Sequence, residues 1–215
     1  MGLVCLKVYL AEFIGTFALV FIGAGAVAAN SGLVGIALAH GLVLMAMIFA
    51  LGHVSGGHFN PAVTIAMLLN KEIKTEKAIG YIGSQLLGAS FAGFLLLAFF
   101  PAAGGLGVPA LGSGMSFAQG ALLEAILTFF LVTVIFGVAV DKKGSPQVAG
   151  LAIGLVLAFD ILMGGSLTGA AMNPARAFGP AIASGQWANQ AVYWLGPIVG
   201  ALLGALAYDK VLKSK

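Results

Sequence analysis

Two identical tripeptides stand out among the residues able to do chemistry: Asn60-Pro61-Ala62 and Asn173-Pro174-Ala175, 113 positions apart. Asparagine is a favoured helix N-cap and proline a favoured first-turn residue, so each box reads as a helix start whose capping amide still has N–H donors to offer. Just after the second box comes Arg176, the only arginine in the chain, set in an apolar segment. Glu12 and Glu124 also lie within apolar runs. As an acid–base pair they would suit an enzyme, but no nucleophile or metal cluster accompanies them. Acceptors for otherwise unpaired backbone amides are the preferred reading. His53 and His58 are five apart without a carboxylate partner, which is not a zinc pattern, and His53 reads as a core histidine. Cys5 is the single cysteine, so an intramolecular disulfide is excluded. No cofactor, metal or catalytic activity is expected.

The elements that must position these groups are membrane-spanning. Of 215 residues, 60% are hydrophobic and 8% charged, too little polar surface to cover a soluble globule. Apolar runs at about 8–29, 33–52, 78–100, 117–140, 147–163 and 190–208 are each near the ~20 residues that a bilayer crossing needs. The lysines gather at the termini and in the connections after spans two and four, which predicts cytoplasmic termini by the positive-inside rule. The net charge of +3 therefore reports topology rather than a nucleic-acid partner. In this setting a buried arginine costs at least about 2.5 kcal/mol on insertion scales, so Arg176 is a functional candidate by default.

The chain also repeats itself. Gly41-Leu42-Val43-Leu44 recurs as Gly154-Leu155-Val156-Leu157, again 113 positions on. Glu12 pairs with Glu124, and Tyr81 with Tyr193, at 112. Two units, 1–105 and 106–215, each contain three spans, and three is odd. The second must enter the membrane from the opposite side, which is an inverted repeat. Each unit also holds an apolar segment too short to cross, at about 61–69 and 174–183. Nine or ten residues reach only about 15 Å, half of the hydrocarbon core. Both read as re-entrant half-helices. The glycine-rich approaches, His53 to Phe59 and Gly164 to Met172, must be buried in protein or line water. The fold class expected is thus an all-α membrane protein of six transmembrane helices and two half-helices.

Paired Asn-Pro-Ala boxes, Ser55-Gly56-Gly57-His58-Phe59 before the first and Arg176 after the second, with glutamates in spans one and four, resemble the aquaporin family of water and glycerol channels. The resemblance implies that Asn60 and Asn173 present amide donors to a permeating water where the positive ends of the half-helices converge, repelling protons and cations. It places His58 in the pore lining and His40, Ile161, Ala170 and Arg176 in an outer selectivity filter. It makes Glu12 and Glu124 loop anchors, and it implies a homotetramer in lipid with a pore in each subunit. This filter is similar to the tonoplast type of plants. His40 would offer a solute a donor or acceptor opposite Ile161, so ammonia is expected beside water. Ala177, where glycerol channels usually have Asp, and Tyr193-Trp194 favour water over glycerol.

A glycerol or small-solute facilitator is the runner-up. A secondary transporter also uses inverted repeats and broken helices, but few ionisable residues in these spans could hold a coupling ion. A membrane adhesion protein with a closed pore is disfavoured by a short, uncharged connection at 101–116. The cell membrane is the expected location. Asp160, turned about 100° from Ile161 on a helix, is expected to pair with a buried polar group or a neighbouring subunit.

Overall fold

A computed structural model describes residues 2–213, leaving the side chains of residues 2–5, 102 and 103 outside the described set. Cys5 falls among these. The elements run α1 (Gly2–Ala28), α2 (Gly32–Ser55), α3 (Pro61–Leu69), α4 (Thr75–Phe99), α5 (Phe117–Ile135), α6 (Ala149–Thr168), α7 (Pro174–Ser184) and α8 (Val192–Ala207). Two long helices, a short one and a long one thus occur in that order twice. Six of the described helical stretches are long and apolar enough to cross a bilayer. The short α3 and α7, of 9 and 11 residues, start at the prolines of the two boxes.

Helices α1 and α4 pack together, as do α5 and α8, while each short helix also lies against the last long helix of the other half: α7 on α4, and α3 on α8. The halves therefore interlock and do not merely sit side by side. α2 and α6 meet between them, crossing where Gly41 faces Gly154. A β-carbon on Gly41 would fall 2.6 Å from Gly154 O, and one on Gly154 would fall 2.5 Å from Gly41 O. Small residues at such a crossing let the backbones touch, the usual means of packing helices in lipid. Leu42, Phe49, Leu87, Phe91, Leu155 and Phe159 are exposed on the outer surface, as a lipid-facing wall requires.

Several boundaries differ from those read in the sequence. α2 continues through His53 to Ser55 and α6 through Gly164-Gly165 to Thr168, so the non-helical approaches are shorter than expected. The Gly164-Gly165 pair lies within α6, where bare glycines leave room for neighbours: β-carbons there would lie 2.6 Å from Leu127 Cδ1 and 2.7 Å from Leu33 Cδ1. The true stops are Gly56 and Gly169, whose left-handed φ of 97° and 84° closes each helix. The fourth span has α-helical form only to Ile135 and finishes as a π-turn over Phe136–Val140. His53 is exposed on α2, not in the core.

Candidate functional site

The non-helical approaches to α3 and α7 carry backbone amides that cannot be left unpaired away from water. Buried glutamates on the first helix of each half meet them. Glu12 Oε1 accepts from His58 N at 3.0 Å and Oε2 from Phe59 N at 2.7 Å. Glu124 Oε1 accepts from Ala171 N at 2.9 Å and Oε2 from Met172 N at 2.7 Å. A hydroxyl from the last residue of the preceding helix completes each cradle: Ser55 to Glu12 Oε1 and Thr168 to Glu124 Oε1, both at 2.7 Å. Tyr81 and Tyr193 donate their hydroxyls to the carbonyls of those same residues, at 2.5 and 2.8 Å. The sequence reading gave Ser55 and Thr168 no anchoring role, although their separation of 113 matches the boxes.

Held in this way, the two boxes meet. Asn60 Oδ1 accepts from Ala62 N at 2.9 Å, and Asn173 Oδ1 from Ala175 N at 3.0 Å and Arg176 N at 3.3 Å, so both side chains cap their helices. Their amides also reach across the halves: Asn60 Nδ2 donates to Met172 O at 2.8 Å and Asn173 Nδ2 to Phe59 O at 2.9 Å. Each Nδ2 carries two hydrogens, so one braces the opposite loop and one remains for the cavity. The sequence reading has each asparagine cap its helix and present an amide donor to a permeating water, without the brace to the opposite loop. The cross-brace was invisible because it joins residues 112 and 114 positions apart.

Asn60, Asn173, His58, His40 and Arg176 border a cavity of about 210 Å³ whose remaining wall is mainly aliphatic. A second cavity, about 170 Å³, opens on the far side of Arg176 and is bordered by Val27, Ile36, Gly107 and Ile161. Arg176 borders both, and so marks the narrowing between them. Ala170, buried with a φ of 43°, lies between Gly169 on one cavity and Ala171 on the other. His40 thus borders the first cavity, Ile161 the second and Arg176 both, while Ala170 borders neither.

Arg176 is buried and held from two sides: Nη1 donates to Gly107 O at 2.7 Å and Nε to His40 Nε2 at 3.3 Å. His40 Nδ1 lies 2.9 Å from Ile36 O, which can only accept, so Nδ1 carries the proton and Nε2 presents its lone pair to Arg176. The neutral imidazole therefore has both nitrogens engaged. This corrects the expectation that His40 offers a polar atom to a solute; it orients the arginine. Gly107 belongs to the 101–116 connection, which the sequence marked only as short and uncharged. The contact depends on the chain folding back onto α1 and α7.

His58 sits deeper. Thr64 donates its hydroxyl to Asn60 O at 3.0 Å, and His58 Nδ1 is 3.1 Å from the same Thr64 oxygen. With that hydroxyl proton already used, His58 Nδ1 is the donor and its Nε2 is an acceptor. Gln85 ties this group to the loop anchor, donating to Thr64 Oγ1 at 3.0 Å and to Glu12 Oε2 at 2.7 Å. Gln85 and Thr64 gave no sequence signal, since neither has a polar counterpart in the second half. Asp160 is buried, and no described residue pairs with its Oδ2. It borders neither cavity.

The arrangement is a mainly apolar passage with polar groups at two half-helix starts and one fixed cation, Arg176, between its two cavities. The profile of the Major intrinsic protein family matches residues 3–208. Aquaporin TIP4-4 of Zea mays is 43% identical over 218 residues, covering 95% of this chain and 86% of its own length. Glycerol uptake facilitator protein-like 6 of Lactiplantibacillus plantarum is 45% identical over 210 residues, covering 93% of this chain and 95% of its own. The X-ray structure of the aquaglyceroporin from Plasmodium falciparum superposes with a TM-score of 0.82 at 27% identity, covering 97% of each chain. With its six apolar spans, the chain belongs to the major intrinsic protein family, the aquaporins, and is a multi-pass membrane channel rather than an enzyme.

Proposed function

We propose that the chain conducts water passively while excluding protons and ions, and passes small neutral solutes such as ammonia. The observation that carries this is the pairing of Asn60 and Asn173 at one point of the cavity, each with one amide hydrogen committed across the halves and one left over. A water there has its oxygen held by two donors at the positive ends of α3 and α7, so it cannot take a proton from its neighbour. Two of the five Arg176 N–H donors are engaged by His40 and Gly107. The rest serve the permeant, and the guanidinium charge repels cations.

Ammonia is supported on altered grounds. With both His40 nitrogens occupied, Arg176 is the polar wall of the narrowing and Ile161 an apolar one. Such an opening suits a small neutral molecule needing few partners. Glycerol is the second reading, favoured by the 45% identity to a protein described as a glycerol uptake facilitator. In proteoliposomes, stopped-flow traces should show fast water and ammonia flux and slow glycerol flux. Fast, nonsaturating glycerol entry would reassign the channel to glycerol, and saturable, gradient-coupled exchange would replace the channel by a transporter. Repeats at 1–105 and 106–215, cytoplasmic termini, the cell membrane and a homotetramer complete the proposal. Cross-linking in native membranes should trap species up to four subunits.

A further inference from the structure

We propose that Gly23 of α1 is a specificity-determining position of the outer narrowing, acting through His40 and Arg176 without touching the permeant. The inference rests on the reading of that narrowing as the selectivity site. α1 turns one face to the path, with Leu19 bordering the inner cavity and Val27 the outer one. Position 23 is one turn from each, at the level of Arg176. It carries no side chain, and the His40 ring fills the place one would take. A β-carbon on Gly23 would overlap His40 Cδ2 and Nε2 and lie 2.8 Å from Cε1. The overlapped nitrogen is the one that accepts from Arg176 Nε.

The histidine cannot retreat with its backbone, because the next residue, Gly41, is wedged against Gly154 O. A methyl group at 23 must therefore rotate the ring toward the path. The residue after Gly23 does the same for the other support of the arginine. Gly107 has a φ of +76° and a β-carbon there would lie 2.8 Å from Ala24 Cα, so the bare backbone of Gly107 rests directly on α1. Consecutive residues of one helix thus seat both acceptors of the guanidinium, His40 Nε2 and Gly107 O. A bulkier residue at 23 narrows the opening and releases a charged donor into it, unless position 40 is small.

The test is a double-mutant cycle in proteoliposomes, joined to a direct reading of the ring. Gly23→Ala should lower water permeability by about threefold or more, as expected of overpacking beside a single-file opening. His40→Ala should raise glycerol permeability, and Gly23→Ala added to His40→Ala should change neither flux further, since the overlap is gone. In ¹⁵N-histidine NMR spectra, assigned with His40→Asn, the His40 Nε2 signal should shift in Gly23→Ala while that of His58 stays. Wild-type permeability with an unmoved Nε2 signal would overturn the proposal. So would an equal loss of flux in the His40→Ala background, or failure of the double variant to fold where His40→Ala folds. If the unmodified protein moved no more water than empty liposomes, the water-channel reading would fall, and the Nε2 signal alone would decide the role of Gly23.

Discussion

The two halves share a scaffold but not a chemistry. Each glutamate holds two successive loop amides and a helix-end hydroxyl, and each tyrosine caps the carbonyl of that same residue; the hydroxyl and the second amide lie at 2.7 Å in both halves. The lining diverges from there. Shifted by 113 positions, His40, Ile161, Ala170 and Arg176 become Ile153, Ile48, Gly57 and Val63, all four on the inner cavity and none with a polar side chain. Conversely, the polar group of His58, Thr64 and Gln85 corresponds to Ala171 and Ala177 at 113 and, at the offset of 112 that relates Tyr81 to Tyr193, to Pro197. The halves share the frame that holds the two half-helices, and the polar lining differs between them. On the proposed function the outer ring selects, while its inner counterpart carries no polar side chain.

The largest effect should come from breaking the shared frame. Glu12→Ala and Glu124→Ala each strand two buried amides at roughly 1–3 kcal/mol apiece, a large part of an ordinary folding stability. Neither variant should survive mild heating in detergent before gel filtration. Glutamine at these positions sharpens the comparison. Glu12 accepts two donors on each oxygen, so Glu12→Gln leaves two unmatched in either orientation. Glu124 Oε2 accepts one, so Glu124→Gln leaves one. The melting temperature should fall further for Glu12→Gln, by an amount equivalent to about one buried hydrogen bond. Equal losses would mean that the extra bond from Gln85 contributes nothing.

Next in size is Arg176→Val, which copies Val63 into the outer ring. Removing the only fixed cation at the narrowing should raise cation or proton leak by about tenfold or more while water still passes, read with a pH dye in vesicles. An unchanged leak would place the whole barrier at the asparagines. A smaller change is expected with mercury: the unmodified protein should resist mercuric chloride, whereas Ala170→Cys, between the two cavities, should become inhibitable. The least effect should follow Thr64→Val, which removes the acceptor of Gln85 Nε2 and His58 Nδ1. It should cost about 1–2 kcal/mol of stability and leave selectivity nearly unchanged.

What the sequence made legible is what the repeat and local helix chemistry encode. Asn-Pro signals placed the starts of α3 and α7 at Pro61 and Pro174, and apolar run lengths gave the spans. The missing parts depend on contacts made only when the halves close on each other. Gly164 and Gly165 looked like loop but lie within α6, where the bare positions make room for Leu127 and Leu33. His53 looked like core because histidine in an apolar run suggests burial, yet its face of α2 points outward. The Arg176–His40 contact joins residues 136 positions apart with no repeat partner to reveal it. The role of Gly107 required a loop to fold back onto α1.

The central claim is that two asparagine-capped half-helices pass water and stop protons. It is tested most directly by reconstituting the protein into vesicles loaded with a pH dye and recording osmotic shrinkage and internal pH in the same stopped-flow shot, under an outward proton gradient. The account predicts shrinkage well above that of empty vesicles, with pH decaying no faster than in the empty control. Proton flux that rises in proportion to water flux as the protein content is increased would contradict it.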